Sequence, residues 1–123
     1  MPQILVVDDE KDVRAMIAIV LRVRHFDVVE AATAPAALSA FDQTSFDAAI
    51  VDIFLADCNG FDLIAALRER APNLPVVAVS GIATVDLASP AAGLSNVVSL
   101  QKPFRPNDLI AAVEQARAQA APA

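Results

Sequence analysis

Four short, almost wholly apolar runs restrict what this chain can fold into: Ile4-Leu5-Val6-Val7, Ala48-Ala49-Ile50-Val51, Val76-Val77-Ala78-Val79 and Asn96-Val97-Val98-Ser99-Leu100. A strand without polar alternation must be covered on both faces, the situation of a strand inside a parallel sheet. Between the runs the period changes. Val13, Met16, Ile17, Val20 and Leu21 recur at the three-and-four spacing of one helix face, as do Leu63, Ile64 and Leu67, and Leu109, Ile110 and Val113. Thr33 is placed to cap a helix carrying Leu38 and Phe41, Pro106 to open the last one, and Asp27 to Ala31 reads as a further strand. Strands alternating with helices of this length imply right-handed crossovers and an α/β, doubly wound (βα)5 sheet. A common strand order for five such units is 2-1-3-4-5, with its switch point between the first and third strands.

The chain has 123 residues, enough for one domain with a sizeable core. No apolar stretch reaches the ~18 residues that suggest a membrane span, and Met1-Pro2-Gln3 lacks the basic start of a secretory signal, so the expected compartment is cytoplasmic. A net charge of −6 disfavours direct nucleic-acid binding, and Arg22, Arg24, Arg68 and Arg70 lie near helix ends, where cations complement the dipole. Cys58 is the only cysteine, which excludes an internal disulfide or a cysteine-clustered zinc site. His25, the only histidine, is expected to end the first helix.

In a parallel sheet the strands' carboxyl ends share one edge, so Asp8, Asp9, Asp52, Ser80 and Lys102, each just past an apolar run, are expected to meet. Taken singly they are ordinary: an aspartate caps a helix, a serine before Gly81 forms a turn, a lysine is solvated. Together they make a magnesium-assisted phosphoryl-acceptor site. Asp52 supplies a nucleophile, Asp8 and Asp9 suit Mg2+, Lys102 offsets phosphoryl charge, and Ser80 donates to a phosphoryl oxygen. Three carboxylates so close should raise the pKa of at least one when no metal is bound.

These residues resemble a response regulator receiver domain of two-component signalling, a chemotaxis-regulator-like unit of flavodoxin-like fold. The resemblance rests on Val6-Val7-Asp8-Asp9-Glu10, Asp52, Gly60 eight residues on, Ser80-Gly81 and Lys102-Pro103-Phe104, and it spans essentially the whole chain. It implies that Asp52 is the phosphoacceptor, Asp9 the principal Mg2+ ligand and Asp8 its partner through water, with the Phe54 backbone carbonyl completing the protein's share. Ser80 takes the place of the switch hydroxyl and Lys102 that of the phosphate-contacting lysine, and the Lys102-Pro103 bond is expected to be cis. Such a domain receives its phosphoryl group from a histidine kinase or histidine phosphotransfer protein and acts on a separate downstream protein, as a monomer or weak homodimer. It is a switch rather than a turnover enzyme. Residues 1–118 form the expected domain and 119–123 a tail.

Three positions depart from that pattern. Ser99 stands where an aromatic switch residue is usual, Pro90 and Gly93 disturb the expected fourth helix, and Ala56 replaces a common proline. Two alternatives follow: a degenerate receiver that binds partners without phosphorylation, and an aspartate-nucleophile phosphohydrolase, which usually carries a second acid where Phe54 stands. Phe54 and Ile82, two residues after Asp52 and Ser80, are bulky and apolar, and are expected to shield an aspartyl phosphate from water.

Overall fold

The computed structural model describes residues 2–81 and 97–120. Five strands and four helices follow in order among the described residues: β1 (Gln3–Val7), α1 (Lys11–Val23), β2 (Asp27–Ala31), α2 (Ala34–Gln43), β3 (Ala48–Asp52), α3 (Gly60–Arg70), β4 (Val76–Ser80), β5 (Val97–Gln101) and α4 (Pro106–Ala120). The expected helix around Pro90 and Gly93 lies outside the described residues, as do Ile82 and Asn96. All strand pairs are parallel and the order is β2-β1-β3-β4-β5, as the alternation predicts.

Three of the four apolar runs become the central strands β1, β3 and β4, with both faces buried, and the fourth becomes the edge strand β5. Leu5, Val7, Ala49, Val51, Val76 and Ala78 face α2 and α3, packing on Ala37, Leu63, Ile64 and Leu67. The alternate residues Ile4, Val6, Ala48, Ile50, Val77 and Val79 face α1 and α4, packing on Ile17, Leu21, Leu109 and Val113. Full burial of each large aliphatic side chain contributes about 1.5–3 kcal/mol, so the strand interiors hold most of the stability.

Local signals place the helix ends. Thr33 caps α2, its hydroxyl accepting from the Ala36 amide at 3.2 Å, and Asn59 caps α3 by accepting from the Phe61 amide at 2.8 Å. Phe41 and Phe46 stack at 5.6 Å on the α2 side, and Phe61 packs against the same cluster. His25 does more than follow α1. Its φ of 69° puts it in the left-handed region, while the His25 amide donates to Arg22 and the Phe26 amide to Leu21, both at 3.0 Å. These are the two bonds of a Schellman stop, a place usually taken by glycine. Phe26 then turns inward onto the core, with the Arg117 guanidinium 5.8 Å from its ring centre.

A side chain in the left-handed region costs roughly 1–2 kcal/mol, and glycine gives back roughly 0.5–1 kcal/mol through its freer unfolded chain. The substitution His25→Gly is therefore expected to stabilise the protein by ~0.5–1 kcal/mol in urea unfolding. A loss of stability would show that the imidazole makes a compensating contact.

Candidate metal and phosphoacceptor site

The carboxyl ends of β1, β3, β4 and β5 open at one edge. Asp8 follows β1 and is 1% exposed, Asp52 ends β3 at 4%, and Ser80 ends β4 fully buried. Lys102 arrives there because β5 runs beside β4, its amide donating to the Ser80 carbonyl at 2.7 Å. Its Nζ lies 3.2 Å from Asp8 Oδ2, 3.3 Å from Asp52 Oδ2 and 3.5 Å from Glu10 Oε1. Carboxylate oxygens of Asp8, Asp9, Glu10 and Asp52 all come within 4.8 Å of one another. Of the five residues expected to meet, Asp8, Asp9, Asp52 and Lys102 do so, Ser80 adjoins them through its backbone, and the Lys102-Pro103 bond is cis.

The backbone holds each acid. Asp8 Oδ1 accepts from the Glu10 amide at 2.9 Å, Asp52 Oδ1 from the Phe54 amide at 3.0 Å, and Asp9 Oδ2 from the Ala56 amide at 3.0 Å. Neither Asp8 nor Asp9 is the N-cap of α1; that place falls to Glu10, whose side chain makes no capping bond. A proline at position 56 would have no N–H to offer Asp9, so the departure at Ala56 has a visible consequence. Gly60 has an equally definite one. A Cβ there would stand 2.4 Å from the Asp52 carbonyl oxygen and 2.6 Å from the Ile53 Cα, both backbone atoms. Only glycine lets α3 start this close to the end of β3, where the Gly60 amide donates to the Ile53 carbonyl at 2.8 Å.

Burial pushes the Asp8 carboxyl above its usual range; the Glu10 amide opposes the shift, the Asp52 charge adds to it, and Lys102 again opposes it. One raised acid was expected, but from repulsion, whereas desolvation leads. Burial alone would lower the Lys102 pKa. The Asp8 and Asp52 charges outweigh it and hold the ammonium above its ordinary pKa.

Asp8 Oδ2 is buried and has no hydrogen-bond partner among the described residues, its contact with Lys102 lacking hydrogen-bond geometry. A buried carboxylate oxygen with no donor, beside three further carboxylates, fits a small hard cation that prefers oxygen ligands. Such an ion would supply positive charge to offset the acids and any anion bound among them.

Sequence reasoning named Asp8, Asp9, Asp52, Ser80, Lys102 and Phe54 as site residues. Asp8, Asp52 and Lys102 are in direct contact, Asp9 joins through the carboxylate cluster, Ser80 adjoins through the backbone, and Phe54 gives Asp52 its amide while its ring is 56% exposed. Glu10 was missed as a member. Its place immediately after the aspartate pair was the available signal. Cys58 is a half-buried loop residue packed against the α2 and α3 core.

The sequence matches the response regulator receiver domain family over residues 4–114, and the chain belongs to that family. It is 30% identical over 115 residues to a putative NtrX-like response regulator of Rickettsia bellii, covering 92% of this chain and 24% of that protein. It is 34% identical over 114 residues to the alginate biosynthesis transcriptional regulatory protein AlgB of Pseudomonas aeruginosa, covering 92% and 25%. The chain thus spans about a quarter of the length of these relatives. Among solved structures, a response regulator receiver protein from Sinorhizobium medicae superposes with a TM-score of 0.88 at 27% identity, covering 98% of this chain and 97% of that one. NtrX from Brucella abortus gives 0.87 at 30% identity, covering 98% and 28%. No helix among the described residues is long and apolar enough to cross a membrane.

The raised Asp8 pKa sets a sign. The fold prefers the neutral acid, so below the ordinary value of 3.8 Asp8 costs the native state nothing, and the cost grows as pH rises through the folded pKa. The variant Asp8→Asn, free of that cost, is expected to melt higher than the parent at pH 7 without metal, the gap closing as pH falls toward 3.8. Thermal melts across that range check this, and a gap independent of pH would contradict it.

Proposed function

We propose that this receiver domain, residues 1–118, is a phosphorylation switch that accepts a phosphoryl group on Asp52 with Mg2+ bound at Asp9, Asp52 and the Phe54 carbonyl, and at Asp8 through water. The observation that carries the proposal is the shared ammonium, Lys102 Nζ lying within 3.3 Å of both Asp8 and Asp52. A carboxylate destined to become an acyl phosphate needs a cation beside it to receive the new phosphoryl charge. An Asp52 carboxylate oxygen attacks the phosphorus of a partner's phosphohistidine, the P–N bond breaks, and the imidazole leaves with its electron pair and takes up a proton. Lys102 then contacts a phosphoryl oxygen, and Ser80 donates its hydroxyl to another. A magnesium ion held by Asp9, Asp52 and the Phe54 carbonyl would offset charge on the phosphoryl oxygens.

The partners are a histidine kinase or histidine phosphotransfer protein as donor and a separate downstream protein as target, in the cytoplasm. Beside Lys102, Val13, Met16, Pro103 and Phe104 line an apolar groove of about 360 Å3. Phosphorylation acts by population shift, adding charge and acceptor oxygens that favour a conformer closed by Ser80 and Lys102. Phe54 has no carboxylate to serve as the second acid of a phosphohydrolase, which supports a switch over a turnover enzyme.

Incubation with acetyl phosphate and Mg2+ is expected to add the mass of one phosphoryl group, and Asp52→Asn to remain unmodified. An unmodified parent protein would favour the phosphorylation-independent module instead. The exposed Phe54 ring stands two residues from the acceptor, so Phe54→Asn is expected to shorten the aspartyl phosphate lifetime several-fold by admitting water. An unchanged decay rate would remove the shielding role, and the same measurement applies to Ile82→Glu.

A further inference from the structure

We propose that Arg14 is a positioning residue for the acidic site, its guanidinium fixing the peptide that joins Asp8 to Asp9. The proposal rests on the divalent-cation reading of that site. Arg14 lies in the first turns of α1 with its side chain only 16% exposed. Its Nη1 donates to the Asp8 main-chain carbonyl at 2.8 Å, and its Nε pairs with Glu30 Oε1 at 3.3 Å. Glu30 belongs to β2, level with Val6 on the sheet face that α1 covers. Further along α1, Arg22 reaches the other oxygen of the same carboxylate at 3.7 Å but is half exposed and touches nothing of the site.

The Asp8 carbonyl stands where the strand has ended and the helix has not begun, so neither ladder gives it a donor. Three other groups of this turn are held as well. The Asp8 amide donates to the Ala31 carbonyl at 3.2 Å, Asp8 Oδ1 accepts from Glu10, and Asp9 Oδ2 accepts from Ala56. Arg14 restrains rotation of the Asp8-Asp9 peptide, which would swing the Asp9 side chain away from Asp52. Groups that orient a metal's ligands commonly change affinity by about 10–100-fold when removed.

Charge alone predicts the opposite sign. A guanidinium beside an acidic cluster repels a divalent cation, so deleting it should tighten binding. Here Glu30 lies nearer to Arg14 than to Arg22 and offsets much of the charge beside the site, leaving the hydrogen bond to the carbonyl as the larger effect.

Mg2+ titrations of the whole chain, followed by backbone amide NMR shifts, test this. The variant Arg14→Met keeps the aliphatic stem and is expected to weaken Mg2+ binding about tenfold, with Arg14→Lys in between, since one ammonium can reach the carbonyl or Glu30 but not both. Arg22→Met removes the same charge from the same helix and is expected to leave the affinity within about twofold. Unchanged or tighter binding by Arg14→Met, or an equal loss in Arg22→Met, overturns the proposal. If Arg14→Met does not fold, Glu30→Gln carries the test: it uncovers the guanidinium charge, so binding should weaken at low salt and recover at high salt. A Glu30→Gln affinity equal to the parent's overturns it too. A parent protein that does not bind Mg2+ fails the cation reading and the proposal together, whereas a parent that binds with Arg14→Met unaffected fails the positioning role alone.

Discussion

One ammonium among buried acids is the constraint around which the site is organised. Asp8 and Asp52 are both almost fully buried, and such carboxylates are tolerable only when charge or donors compensate them. Lys102 supplies charge to both, and the amides of Glu10 and Phe54 supply one donor each. The compensation is incomplete: Asp8 Oδ2 lacks a hydrogen bond and the Asp8 pKa stays raised. The oxygen donors gathered around it are of the kind a hard cation takes.

The sheet makes that arrangement possible, and a few backbone contacts make it accurate. Parallel pairing brings four strand ends to one edge, but the side chains meet only because particular turns follow. The close start of α3 at Gly60, the Ser80 carbonyl receiving the Lys102 amide, and Arg14 on the Asp8 carbonyl each fix one of them. Asp57 Oδ2 accepts from the Ala34 amide at 3.2 Å, tying the loop after β3 to the start of α2. The loop that carries the amides contacting Asp52 and Asp9 is therefore anchored on two sides.

The departures from the family pattern fall outside the acid and lysine set. Ser99 occupies the middle of β5, opposite Ala78, so no large ring can move there with Ser80. Ala56 gives the chain an amide that holds Asp9. The first concerns the strand beside Ser80 and the second the seating of Asp9. Neither touches Asp52 or Lys102, and the family membership survives both.

The sequence by itself determined the parallel sheet, its order and the residues at its edge, because apolar runs such as Val76 to Val79 have no other stable environment and each polar residue follows its run directly. The helix starts at Thr33 and Pro106 were written in local capping chemistry in the same way, whereas the Asn59 cap emerged with the structure. Only the tertiary structure decided that Glu10 joins the acids, that desolvation leads in raising the Asp8 pKa, that Gly60 serves a backbone approach and that His25 takes a left-handed turn. Arg14 belongs with these, since its partners come from different elements and no spacing in the chain announces them. Periodicity encodes which face of an element is buried, whereas contacts between turns depend on where several elements end in space, and that is settled only when the sheet has formed.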